Sequence, residues 1–326
     1  MRTHARIAAA LLLAATPATL AAQARSISQS DKAAGAQAHP QLLNEFGGAM
    51  RGSQAAYVER VGKRVAVQSG LSNAQGDFTV TLLNSPVENA FAIPGGYVYV
   101  TRQLLALMNS EAELASVLGH EVGHVAARHS AKRNTRSMIG GLAAAAIGAV
   151  TKSDLAGRAA GYGTQLYTLG FSRQQEYEAD GLGVRYIAAA GYTPYAAADM
   201  LAELNDETLL QGEIAGRASS QPTWMSTHPN GADRVARAQK LAQATGAPDT
   251  TEQQDTAFLR MLDGLPYDDG GKVVRIVTVR AGDTVQSLAG RMAYGDHQLD
   301  RFTVLNALDP QEPLRPGTLV KIIAAR

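Results

Sequence analysis

The sequence predicts an α+β protein: a mainly helical domain with a small β-sheet built around a hairpin, followed by a small βααβ unit. Three observations carry this. Two helix-opening capping patterns, Ser110 with Glu113 and Ser172 with Gln175, each precede a run long enough for a substantial helix. Asn89–Val100 holds two short apolar and aromatic runs about Pro94-Gly95-Gly96, where proline fixes φ and glycine supplies a positive φ, as in a hairpin. Near the C terminus Gly282-Asp283-Thr284 marks a strand-to-helix turn and Pro316-Gly317 starts a last strand; the full βααβ order is what a family resemblance of this segment implies.

At 326 residues the chain has room for one large domain and a small second one. Lys plus Arg number 30 against 29 Asp plus Glu, and the net charge of +1 gives nucleic acid no electrostatic hold, so that class of partner is set aside. The chain has no cysteine, which excludes disulfides, cysteine-ligated zinc, a thiol nucleophile and a lipidated N-terminal cysteine. Any transition-metal site must therefore draw on histidine and carboxylate.

Arg2 and Arg6 precede the apolar stretch Ile7–Leu20, and Ala22-Gln23-Ala24 offers small residues for cleavage, so residues 1–24 are expected to be a secretory signal peptide cut near Ala24. Residues 25–40, rich in Ser, Gln and Ala without apolar periodicity, read as a disordered leader. The large domain is expected over 41–245. Within it Val61, Val65 and Val67 give Tyr57–Val67 the spacing of a helix packed on one face, and Phe78–Leu83 reads as a strand. The Ser110 helix should run to about His129 and the Ser172 helix to about Ala190, where Gly191 stops it. Thr193-Pro194 opens a helix to about Asn205, because proline is tolerated at the first helical position, and Asp233–Ala244 is the last helix of the domain. Residues 137–151 are apolar and rich in small side chains, but by length they read as a buried or membrane-touching helix rather than a spanning one. Residues 246–271 read as a polar linker carrying a short helix near Ala257–Leu265, and 272–326 as the βααβ unit.

The chemistry concentrates in His120-Glu121-Val122-Gly123-His124. Two imidazoles four residues apart lie on the same face of a helix and can grip one cation. Glu121 is displaced by about 100° around the axis, so it can flank a metal without ligating it and accept a proton from the attacking water. Zinc bound there would lower the pKa of water toward ~7 and polarise a scissile carbonyl. The extension HExxHxxGxxH would need glycine at 127 and histidine at 130, but the chain has Ala127 and Ser130. A carboxylate from a later helix remains, as in sites of two histidines and a glutamate. Glu176 and Asp180 stand four apart on one face of the Ser172 helix, with Glu178 on another side. Glu176 as ligand and Asp180 as acceptor for a ligand imidazole N–H meet the needs of coordination and of its outer support. Ala179, Gly181, Gly183 and Ile187 mark this helix as closely packed. His129 falls off the ligand face and reads as an exposed helix-end histidine.

Four separated motifs, Asn89–Gly96, His120–His124, Phe171–Asp180 and Thr227-His228-Pro229 with Arg234, together resemble metallopeptidase family 48 over about Leu42–Ala244. The resemblance implies a gluzincin fold with one zinc per chain on His120, His124 and Glu176, Glu121 as general base and acid, and Asp180 supporting the site. It further implies that Asn89, Ala90, Phe91 and Ala92 form an edge strand to which an extended substrate adds by main-chain hydrogen bonds. His228, in a loop, would approach the metal or the oxyanion, and Arg234 would line the site. The family includes multi-span HtpX-type and CAAX-processing membrane proteases as well as soluble periplasmic members, some of which maintain outer-membrane β-barrel assembly; this chain resembles the soluble branch.

Val277–Ala289, Val304–Asn306 and Leu314–Ile322 resemble a LysM module, which implies the βααβ order and binding of N-acetylglucosamine polymers such as peptidoglycan. As a tether, such a module would be removable without loss of peptide cleavage. The function these readings imply is a periplasmic zinc metalloendopeptidase that hydrolyses unfolded or misassembled envelope proteins, held near the cell wall, with the outer-membrane assembly machinery as a further candidate partner. Two rivals stand beside it: a latent protease working as a chaperone or assembly factor for outer-membrane proteins, and a peptidoglycan-remodelling enzyme.

Overall fold

The structure, a computed structural model, describes residues 26–71, 75–129, 170–216, 224–229, 232–251 and 253–326. The expected signal peptide and the apolar stretch 137–151 lie outside the described residues. Among the described residues no helix is long and apolar enough to cross a membrane.

The sheet is built on β3 (Tyr97–Thr101), which runs parallel to β1 (Thr79–Leu83) and antiparallel to β2 (Ala90–Ile93), leaving β2 at one edge. The register pairs Ala90 with Val100 and Phe91 with Tyr99. The Thr101 N–H donates to the Asn89 carbonyl at 2.9 Å, and the Thr79 N–H to that of Gly96 at 2.9 Å. Alternation along an antiparallel ladder then turns the N–H and C=O of Phe91 toward β3 and those of Ala90 and Ala92 toward the open edge.

One face of the sheet packs on α2 (Ser53–Ala66) and α4 (Glu111–Ala126), where Val58, Val61 and Val65 meet Ala90, Val98, Leu114 and Leu118 in the main core. The other face carries α1 (Gln29–Glu45), whose Ala38 and Leu42 join Leu83, Ile93 and Tyr99 in a second cluster. The expected disordered leader is thus largely helix. Ser28 caps it by accepting from the Asp31 N–H, Lys32 pairs with Asp77 at 2.6 Å, and His39 Nδ1 lies 2.7 Å from the Tyr99 hydroxyl. A Cβ on Gly35 would sit 2.1 Å from the Pro94 carbonyl oxygen, so only glycine lets this helix touch the hairpin turn.

The catalytic-type motif lies in α4, capped by Ser110, which accepts from the Glu113 N–H. Across it runs α5 (Arg173–Ala189), opened by the expected Ser172–Gln175 capping box and closed before Gly191 at φ 85°. The two helices approach backbone to backbone. A Cβ on Gly123 would lie 2.9 Å from the Ala179 carbonyl oxygen, and one on Gly183 would lie 3.0 Å from the His120 nitrogen. The next helix, α6, spans Ala196–Ile214 after α3 (Arg102–Leu107) and the pair just described; it outruns the expected end at Asn205 because Leu210 still finds a buried place, and packing overrides the weak propensity of asparagine. A single turn, α7 (Trp224–Thr227), and α8 (Ala232–Ala244) complete this part.

The C-terminal unit has the expected βααβ order: β4 (Lys272–Thr278), α10 (Val285–Ala289), α11 (Gln298–Leu305) and β5 (Leu319–Ala325), the two strands antiparallel. Before it, α9 (Thr256–Leu262) is capped by Asp255. Its attachment differs from a tether. Phe258, Leu262, Phe302 and Ile322 belong to the same core as Leu104, Leu114 and Leu118. Lys321 of β5 is fully buried, and its ammonium donates to the carbonyls of Ala106, Leu107 and Met108 at 3.0, 2.6 and 2.8 Å, closing the C-terminal end of α3 immediately before α4. Burial presses its pKa down to about 7 against the pull of Glu203, Glu113 and Glu207. Arg102 adds hydrogen bonds to the Pro266 carbonyl at 3.1 Å and to Asp269 at 2.5 Å, and Asp255 accepts from the Glu111 N–H at 3.1 Å. The boundary at 271/272 therefore runs through a packed core, which a linker reading based on polarity could not register.

Lys321→Met should destabilise the full chain by about 1–3 kcal/mol or more, the usual cost of leaving a buried acceptor without its donor, read as a lower denaturant midpoint. Deletion of 272–326, harmless for a tether, should unfold or inactivate the remainder. An unchanged midpoint in Lys321→Met would contradict the role given to this contact.

Candidate metal centre

Four buried side chains converge at the α4–α5 crossing: His120 and His124 from α4, Glu176 from the first turn of α5, and His228 just after α7. Each offers one donor atom, and all four atoms lie within 4.8 Å of one another. His120 Nε2 is 3.0 Å from His124 Nε2, 3.2 Å from His228 Nδ1 and 3.4 Å from Glu176 Oε2. Glu176 Oε1 is 3.2 Å from His228 Nδ1 and 3.6 Å from His124 Nε2. Bonds of about 2.0–2.2 Å at the tetrahedral angle put neighbouring ligand atoms about 3.3–3.5 Å apart. The five separations, 3.0–3.6 Å, lie about that value, and three imidazoles with one carboxylate form a donor set whose chemistry fits a zinc ion.

The electrostatics also favour a cation. Although burial works against charge on His120, its hydrogen bonds with Asp180 and Glu176 raise its pKa to about 9. His124 is held neutral by burial and by the charge on His120 beside it. Burial opposes ionisation of Glu176, yet His228 and His120 carry its pKa well below the usual carboxylate range. Asp180 behaves likewise, its desolvation outweighed by His120 and Arg234. A site that holds two carboxylates ionised in the interior stabilises positive charge between them.

Around these donors the structure places Asp180 behind His120 and Arg234 behind Asp180. Asp180 Oδ1 lies 2.9 Å from His120 Nδ1, which leaves Nε2 free to face the cluster. Arg234, fully buried on α8, donates to both Asp180 oxygens at 2.8 Å, reaches Glu176 Oε2 at 2.9 Å and donates to the His228 carbonyl at 3.0 Å. It thus ties the acidic helix to the histidine segment. His228 is held firmly for a residue read as a loop histidine: its N–H donates to the Trp224 carbonyl at 3.0 Å, and its ring stacks on Trp224 at 4.5 Å.

Glu121 is fully buried beside the cluster. Its Oε1 accepts from the Trp224 indole N–H at 3.3 Å and lies 3.4 Å from His228 Nε2, while its Oε2 has no hydrogen-bond partner among the described residues. A carboxylate with one oxygen steadied and one uncommitted is suited to taking up a proton. The strand β2 packs against α4, and Asn89 at its start is buried with its Oδ1 likewise unpartnered among the described residues. Phe91 turns its ring to the α1 side, stacking on Tyr99 at 4.7 Å, so of the four expected substrate-binding residues Ala90 and Ala92 offer the open-edge main chain.

His129 departs from expectation. It is wholly buried, with Nδ1 2.9 Å from His124 Nδ1 and Nε2 3.1 Å from Glu178. Five positions along a continuous helix would put it about 140° from His124, but α4 ends at Ala126 and Arg128 takes a left-handed φ of 55°, which swings residue 129 back. Phe171, stacked on His124 at 3.8 Å, and Trp224 were not singled out by the sequence as parts of the site, since an aromatic carries no ligand signal.

Residues 52–242, which include every residue of this cluster, match Peptidase family M48. The chain belongs to that family. Family M48 is a family of metallopeptidases, and membership agrees with the α+β, mainly helical fold. Among M48 relatives, the mitochondrial metalloendopeptidase OMA1 of Schizosaccharomyces pombe is 32% identical over 208 residues, 61% of this chain and 57% of that protein. OMA1 of Arabidopsis thaliana is 35% identical over 165 residues, 51% of this chain and 31% of that protein. The beta-barrel assembly-enhancing protease of Yersinia pestis is 29% identical over 216 residues, 63% of this chain and 42% of that protein. The chain thus spans between 31% and 57% of the length of these curated relatives.

Glu176→Ala should weaken zinc binding by more than about 100-fold, beyond the 10–100-fold typical of an outer-shell loss, as measured by chelator competition. Zinc affinity close to that of the parent chain would displace Glu176 from the ligand set.

Proposed function

We propose that the chain is a zinc-dependent metalloendopeptidase of the cell envelope that cleaves unfolded or misassembled proteins and rests in a restrained state. The observation that carries this is the convergence of His120, His124, Glu176 and His228 donor atoms within 4.8 Å of one another, with Glu121 alongside. When bound, zinc would polarise the scissile carbonyl and acidify water. The protein's own groups supply the remainder. Glu121 accepts the proton of the attacking water through its uncommitted oxygen and returns it to the leaving amine. Asp180 holds His120 in the tautomer that presents Nε2, and Arg234 holds Asp180. An extended segment pairs with the Ala90 and Ala92 main chain, a mode suited to unfolded chains because it reads backbone rather than sequence.

Restraint rests on His228. Catalytic zinc sites keep a position for water, whereas sites with four protein ligands are closed. His228 presents Nδ1 to the cluster and Nε2 to Glu121, so in this arrangement it takes the place that water needs. The rival reading, a latent protease acting mainly as a chaperone, shares this closed arrangement and differs only in whether it opens. An envelope location and barrel-protein clients draw support from the expected signal peptide and from the relatives named for β-barrel assembly. Peptidoglycan contact rests on the LysM resemblance of 272–326 alone, and co-sedimentation of the full chain with sacculi tests it.

Purified full-length protein should contain one zinc and degrade casein in a chelator-sensitive way. Glu121→Gln should keep the metal and lose about 10²–10⁴-fold in kcat; turnover by the zinc-loaded variant at the parent rate would remove Glu121 from its role. His228→Ala should retain zinc and raise basal cleavage by about tenfold or more. A fall of about 10²–10³-fold, the usual loss of an oxyanion donor, would instead make His228 a catalytic group.

A further inference from the structure

The two imidazoles of the HExxH motif are braced differently. His120 Nδ1 meets the Asp180 carboxylate directly, at 2.9 Å. Among the described residues His124 Nδ1 meets no carboxylate; it faces His129 Nδ1 at 2.9 Å, and the far side of that ring faces Glu178 Oε2 at 3.1 Å. We propose that Glu178 and His129 are positioning residues for the metal: a carboxylate–imidazole chain that fixes the tautomer of His124 and raises its strength as a ligand.

The hydrogen positions follow from the geometry. His124 Nε2 points into the cluster, 3.0 Å from His120 Nε2 and 3.6 Å from Glu176 Oε1, so a metal-binding His124 must carry its hydrogen on Nδ1. That N–H donates to His129 Nδ1. The hydrogen of His129 is then on Nε2, where it donates to Glu178. Each donor meets one acceptor, and the chain runs in one direction, from ligand to carboxylate. The Glu178 charge makes His129 Nδ1 a better acceptor, which in turn makes His124 Nε2 more electron-rich toward a cation. With the opposite order, His124 would carry its hydrogen on Nε2 and could not ligate.

Several features of the chain serve this arrangement. Arg128 at φ 55° ends α4 and returns the His129 ring beneath His124. Phe171 stacks on His124 at 3.8 Å and lies 6.0 Å from the His129 ring, screening the chain from water on that side. Glu178 and Asp180 are two residues apart on α5, so one helix supplies the terminal carboxylate for both ligand histidines, together with Glu176 itself. His129 is fully buried while the Glu178 side chain is 54% exposed, so the chain runs outward from the metal position to the surface.

This inference rests on the zinc reading above, and its test separates the two. Zinc affinity of the full chain is measured by competition with a chromogenic chelator in the parent protein and in His129→Phe, His129→Asn and Glu178→Gln. The phenyl ring keeps the volume and removes the acceptor, and should weaken zinc about 10- to 100-fold. Asparagine, whose amide oxygen can accept near the Nδ1 position, should recover most of that loss. Glu178→Gln should cost less than His129→Phe and add nothing to it. The thermal midpoint of the metal-free protein should be the same in His129→Asn, Glu178→Gln and the parent, which a merely structural role would not require. Ring NMR of the parent should show His129 with its hydrogen on Nε2. Parent-like affinity in His129→Phe, full additivity of the two sites, or an Nδ1–H tautomer of His129 would each overturn the proposal while leaving the ligand set intact. A parent chain that takes up no zinc would overturn the metal reading itself and this inference with it.

Discussion

The close crossing of α4 and α5 is the constraint on which the site depends. Gly119, Gly123 and Gly183 remove the side chains that would hold the helices apart: a Cβ on Gly119 would lie 3.0 Å from Ile187 and one on Gly183 3.2 Å from the Gly119 carbonyl carbon. Only at that separation can Glu176 reach both HExxH imidazoles, and Asp180 the back of one of them. The glycines lower intrinsic helix propensity, but a helix this deeply packed draws its stability from tertiary burial rather than from propensity. Geometry here is set by what is absent.

Once the helices meet, charge decides the rest. Glu176 and Asp180 are both ionised in the interior, which is tolerable only because Arg234 bridges them and because His120 and His228 lie within reach. Arg234 also holds the His228 carbonyl, so the ion pair beside the cluster is continuous with the segment that carries His228. Removal of any one charge would leave its partners buried and uncompensated. The histidine segment is consequently coupled to the acidic helix through the Arg234 guanidinium and through the approach of His228 Nδ1 to Glu176.

Much of this was legible in the sequence, where the signal was local. The Ser110 cap of α4, the capping box of α5, the hairpin about Pro94–Gly96, the HExxH spacing and the pairing of Glu176 with Asp180 are patterns within a turn or two. The caps and the hairpin form where expected, although Glu113 turns to the Asn109 N–H and the Ser110 hydroxyl instead of closing a box. The structure brings Glu176 and Asp180 to the HExxH imidazoles. What escaped was non-local. The helix α1 has no amphipathic stripe, since it is alanine-rich and touches the sheet through Gly35, Ala38 and Leu42, so its residues read as disordered. His129 was misjudged because the reading assumed an unbroken helix, and nothing in Ala127-Arg128 announces a left-handed φ. The burial of Lys321, a residue type usually exposed, is visible only once β5 is packed against the end of α3.

The central claim is that one zinc is held by three imidazoles and one carboxylate, with His228 as the third imidazole. X-ray absorption spectroscopy of the zinc-loaded full chain reads this directly, through ligand number, Zn–N and Zn–O distances and the multiple-scattering signature of imidazole. The expected result is a four-coordinate site with three imidazoles at about 2.0–2.1 Å, falling to two in His228→Ala. A site with two imidazoles in the parent chain, unchanged by that substitution, would contradict the closed arrangement, and an all-oxygen shell would contradict the site altogether.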